Sequence, residues 1–183
     1  MVLRIPTSRA RFSLRAKFKV SFQYWDGLST QKVRVYSVIL GDSQESEFDK
    51  FENKEFPGRD GELAYLYDLI ELITERGCRR HYFRFEQNAN AVAVLYDDID
   101  DIREQDGNSA DQGIRLYCYI REDDLLVLFN GDVKTVQNPR DCPNVGNHFK
   151  RPLKIASKID QGIADGEINL DDPFPFTDIE LEI

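Results

Sequence analysis

The chain has 183 residues, 41% of them apolar and 31% charged, with a formal net charge of −9. That length suits one globular domain with a real core, because a chain of this size buries roughly 70% of its unfolded surface. Wholesale disorder is therefore excluded, and no apolar run approaches the roughly 20 residues that span a bilayer. Cys78, Cys118 and Cys142 are an odd count without CxxC spacing, which suggests neither a disulfide framework nor a zinc ribbon. A cytoplasmic protein with no membrane segment, no resident metal and no cofactor is the expectation.

The net charge conceals blocks. Residues 1–40 carry eight Lys and Arg against one acid, residues 134–158 six against one, and residues 159–183 eight acids and no base. Alternation of this kind lets a fold gather cations on one face of an anionic molecule.

In chain order, the acid-free first 25 residues resemble a transit peptide in composition, but Phe12, Leu14, Ala16, Phe18, Val20, Phe22 and Tyr24 alternate with polar residues. A period of two predicts a half-buried strand. Asp26-Gly27 breaks it, and the β-branched run Val33–Leu40 predicts the second strand of a hairpin with its loop near 26–31. Phe48 and Phe51 mark a short helix before Pro57-Gly58. Asp60 then offers an N-cap to a longer one, striped by Leu63, Leu66, Tyr67, Ile70 and Ile73 and closed near Gly77.

Residues 81–86 and 91–96 read as strands about the turn 88–90, and 97–112 as an acidic loop. That loop fails the spacing of a calcium-binding EF-hand, so a solvated charge run accounts for it better. Ile114–Arg121 and Leu125–Gly131 are strands joined by the Glu122-Asp123-Asp124 turn, and a helix resumes near Phe149 or Leu153 and runs to about Ala164. Residues 1–166 thus form a single α+β domain: an antiparallel sheet with two helices on one face and a C-terminal helix. Residues 167–183 read as an acidic extended or disordered tail.

No phosphate loop, G-x-S-x-G, H-E-x-x-H or zinc spacing is present. What remains is the strand 114–121, whose alternation sets Arg115, Tyr117, Tyr119 and Arg121 on one face: two guanidinium groups for phosphate and two rings for bases. Arg and Tyr are equally ordinary residues for the outer face of a sheet.

Gly113-Ile114-Arg115-Leu116-Tyr117, a turn, Leu125-Leu126-Val127-Leu128-Phe129-Asn130-Gly131-Asp132-Val133-Lys134-Thr135 and then a helix resembles the C-terminal half of RelE/ParE/HigB-like toxins. The resemblance implies a RelE-like core with an added N-terminal strand. Its implied activity is metal-independent endoribonuclease cleavage of mRNA by a toxin of a toxin–antitoxin system, with RNA or the ribosome and a small antitoxin protein as partners. On that basis Lys134 and Arg115 would sit on the phosphate, with Tyr117 and His148 exchanging protons. Arg84, Tyr119, Arg121, Lys150, Arg151 and Lys154 would bind RNA. A single Lys134 stands where the family often has adjacent lysines. The competing expectations are a noncatalytic protein-interaction module and a ParE-like inhibitor of a topoisomerase.

Overall fold

A computed structural model describes residues 18–85, 92–95 and 113–183. The elements are β1 (Lys19–Tyr24), β2 (Arg34–Leu40), α1 (Glu47–Glu52), α2 (Asp60–Arg76), a 3₁₀ turn (Arg80–Tyr82), β3 (Phe83–Phe85), β4 (Val92–Leu95), β5 (Gly113–Arg121), β6 (Leu125–Lys134), α3 (Gly146–Ala164) and β7 (Leu181–Glu182). Most follow from local signals. Ser46 and Asp49 form a reciprocal capping box that starts α1. Gly77, at φ +99°, ends α2 where the chain needs a left-handed residue. In the α2 stripe Leu66, Ile70 and Ile73 are buried as expected, whereas Tyr67 is exposed and Leu69 takes the inward place.

The α+β class holds, with a correction to the sheet. The strand order is β3-β4-β5-β6-β2-β1-β7. β1 and β2 form the expected antiparallel hairpin, with Val20 opposite Leu40 and Tyr24 opposite Tyr36. β2, however, runs parallel to β6, with Arg34 beside Leu125 and Ser37 beside Leu128. The sheet is mixed. A parallel pair needs a long crossover, and everything from α1 to β5 supplies it. The strand alternation at 12–17, the 88–90 turn and the acidic 97–112 loop lie outside the described residues.

Helices cover both faces. On one, α1 and α2 bury Phe48, Phe51, Leu66, Ile70 and Ile73 against Val35, Leu116, Cys118, Leu126 and Leu128. On the other, α3 buries Phe149, Ile155 and Ile159 against Tyr117, Tyr119, Val127 and Phe129. Each such side chain contributes roughly 1.5–3 kcal/mol on burial, so α3 is an integral layer.

Two expectations fall here. The Arg115-Tyr117-Tyr119 face is not an open surface: those residues are 1%, 0% and 0% exposed. Their alternation was legible, but the helix that covers them is supplied by the chain 30 residues later. Nor is 167–183 disordered: of the two alternatives, extended or disordered, it is irregular chain packed on the core that ends in a short strand. Ile168, Phe176 and Leu181 are buried, Phe176 stacks on Phe22 at 4.1 Å, and Arg34 donates to the carbonyls of Leu170 (3.0 Å) and Asp172 (2.7 Å). β7 then pairs with β1. The segment's acids face solvent while its sparse apolar residues, invisible as a periodicity, reach the core.

Candidate nucleic-acid interface

α3 is amphipathic in a specific way. Between Gly146 and Ile159 it contains no acid, and Lys150, Arg151, Lys154 and Lys158 are all exposed. Lys150, Lys154 and Lys158 recur every four residues, so they line one side of the helix at intervals of about 6 Å along its axis. The inner face is apolar, which leaves these cations no direction but outward.

One flank of α3 borders a trough of about 810 Å³, lined by Phe18, Arg151, Leu153, Lys154, Ser157, Lys158, Glu182 and Ile183. A smaller recess of about 130 Å³ shares Phe18, Arg151 and Ile183 and extends to Leu40, Glu47 and Lys50. Arg151 also borders a narrow cleft with Asn130, Asn147, His148 and Pro152. Pro152 has no N–H to give the His148 carbonyl, so the helical ladder is interrupted beside this cleft.

A polar cluster closes that end. The Lys54 ammonium donates to the Gly131 carbonyl (2.5 Å) and to Asp132 Oδ2 (3.1 Å), and lies 3.3 Å from His148 Nε2. Glu47 accepts from Lys50 Nζ at 2.7 Å and from Asn130 Nδ2 at 3.4 Å. Burial first, and then the Lys54 charge, hold the His148 imidazole below its ordinary value, against the opposing pull of Glu47 and Asp132. In the tautomer with Nε2 unprotonated, the ring accepts a hydrogen bond from the lysine ammonium there.

Cys142 lies in the loop before α3. Burial works against its ionisation, but the hydroxyl and N–H of Thr135 and the N–H groups of Val145 and Asn144 donate to the sulfur and hold the thiol down at about 7.

The expected site residues separate into three groups. Lys150, Arg151 and Lys154 stand together on the outward face of α3, and His148 is half-buried at the head of the same helix. Arg115, Tyr117, Tyr119 and Lys134 are all buried, Tyr117 and Tyr119 in the core beneath α3 and Lys134 only 4% exposed. The Tyr119 hydroxyl donates to Asp160 Oδ1 at 2.9 Å, and burial followed by that carboxylate pushes its pKa up. Buried in this way, none of the four is placed at the surface where it would meet a phosphate or a base. Arg121 is exposed and donates to the same Asp160 oxygen at 3.3 Å, and Arg84 is exposed on β3, the opposite edge of the sheet from β7.

The pattern missed Phe18, Lys50, Lys54 and Ile183. No spacing in the sequence links residues 18, 50 and 183 to a helix at 146; only the β1–β7 pairing and the seating of α1 near the end of β6 bring them there. Among the described residues no helix is long and apolar enough to cross a membrane, and no group of three His, Cys, Asp or Glu could hold a metal. No protein-family model matches the chain, and neither a curated protein nor a solved structure matches it.

Proposed function

We propose that this protein binds RNA along the outward face of α3. The observation that carries the proposal is the acid-free set Lys150, Arg151, Lys154 and Lys158 on one exposed helical surface of a molecule with net charge −9. A random scatter of this chain's charges would intersperse carboxylates among them, as the salt-bridged surface elsewhere does, for example Lys19 with Glu180. A strip of cations with no acid between them on their own helix, bordered on one flank by Glu182 of β7, is the electrostatic footprint of a phosphate backbone. The toxin-like expectation is carried forward in this reduced form: recognition by α3, without a reaction centre on Arg115, Tyr117 and Lys134.

The test is a titration of labelled RNA by fluorescence anisotropy at several salt concentrations. Affinity should fall with salt, and Lys150→Ala/Lys154→Ala/Lys158→Ala should lower the magnitude of the log–log slope by about 2, since each phosphate contact contributes about 0.7 on a single strand. Absence of salt-sensitive binding would leave the protein-interaction module as the better account.

One observation favours chemistry as a second reading. The His148 imidazole lines one cleft with the exposed Arg151 guanidinium, a group that can exchange a proton beside a cation that can meet a phosphate. RNA cleavage that is lost in His148→Gln, with binding retained, is the result that would place an endoribonuclease centre there.

A further inference from the structure

We infer that the trough beside α3 is a single-strand subsite, in which an unstacked base lies on the ring of Phe18 while Arg151, Lys154 and Lys158 hold the neighbouring phosphates. This rests on the RNA-binding proposal above.

Phe18 is 52% exposed, a large ring left in water at a position flanked by cations. Its backbone is not loose. Phe18 N–H donates to the Ile183 carbonyl at 3.2 Å and Ile183 N–H donates back at 3.0 Å, so the ring projects from a paired strand end. Leu153 and Ile183 extend the apolar floor. A duplex would present phosphates and ribose hydroxyls to the three cations and leave Phe18 uncovered, because its bases are already stacked and paired. A single strand can turn one base face onto the ring and keep its backbone against the helix. Glu182 lines the same trough, where its carboxylate repels phosphate and confines the backbone to the side of the three cations. The volume, about 810 Å³, lies within the range of sites that enclose small organic groups. The tyrosines expected to do this stacking are buried, and Phe18 is the exposed ring that the cations surround.

The experiment compares a labelled mixed-sequence 12-nucleotide RNA with a 12-base-pair duplex of the same sequence, at one salt concentration, on the full chain. The single strand should bind at least about tenfold more tightly. Phe18→Ala should weaken single-strand binding roughly five- to a hundredfold, the range spanned by one stacked base, with the salt slope unchanged and duplex binding unaffected. Phe18→Leu, which keeps the apolar cover and removes the ring, should lose most of the same affinity. Thermal melting of both variants checks that the half-exposed position has not altered the fold. Equal affinity for the two RNAs, or unchanged binding by Phe18→Ala, overturns the subsite and leaves the α3 proposal standing. Binding of neither RNA overturns the α3 proposal itself.

Discussion

Replacing Gly131 by alanine would place a methyl carbon 1.8 Å from the Arg115 carbonyl oxygen, 2.7 Å from the Arg115 carbonyl carbon and 2.9 Å from the Leu116 Cα. All three are backbone atoms of β5, so no side chain can rotate away and the strands must part. The site is already irregular: Leu116 pairs with Gly131 but Cys118 with Leu128, so β6 carries an extra residue across from Tyr117. Glycine here permits the close approach that the bulge produces. Overpacking costs about 1–3 kcal/mol where side chains can yield, and a clash confined to backbone belongs at or above the top of that range. At 2–4 °C per kcal/mol for a chain of this size, Gly131→Ala should lower Tm by roughly 6–12 °C. Circular dichroism melting, with a urea midpoint as a second measure, reads the effect. A shift under about 1 °C would show that β5 and β6 do not approach as described, and with it that the Gly131 carbonyl is not placed to hold Lys54.

Tyr119→Phe deletes the hydroxyl that donates to Asp160 and should cost about 1 kcal/mol, because the half-exposed carboxylate regains water; RNA affinity should not change, and a loss of affinity at unaltered Tm would return Tyr119 to the interface. Since the folded-state pKa of His148 is depressed, the unfolded chain takes up the proton first, so stability should decline as pH falls below about 6.5. His148→Gln should flatten that part of a Tm-against-pH curve, and an unchanged curve would show that another group titrates. Truncation after residue 166 removes Ile168, Phe176 and Leu181 from the core, a loss on the order of 5 kcal/mol against a total of about 5–15 kcal/mol. The shortened chain should melt without a cooperative transition; a sharp melt near the full-length Tm would show that the segment is dispensable.

Among the described residues, the elements with an unbroken period were legible. Alternation in Val20–Tyr24 and Ile114–Arg121 and the three-to-four spacing of Leu66, Ile70 and Ile73 correspond to β1, β5 and α2. The turn at Glu122-Asp123-Asp124 was equally plain, and Glu122 adopts φ +53° in it. The C-terminal segment was illegible because its anchors, Ile168, Phe176 and Leu181, are spaced too widely to form any period. Its acids dominate the composition while its few apolar side chains dominate its energetics. Half of the candidate site was readable for the same reason: the basic residues of α3 sit on one local helix, but Phe18, Lys50 and Lys54 join them only through contacts between distant segments.

By itself the amino-acid order determined which residues share a face, since side-chain direction along a strand or helix is set by backbone geometry within a few residues. It determined the cationic side of α3 in this way, and equally the Arg115-Tyr117-Tyr119 row. Only the tertiary structure decided which of those two faces meets water. Both sides of the sheet carry apolar surface that must be covered, and α3 satisfies that demand by lying over the tyrosines and turning its lysines outward. The parallel seam between β2 and β6 was decided at the same level, because strand direction depends on how many turns and helices intervene rather than on any residue in the strands themselves.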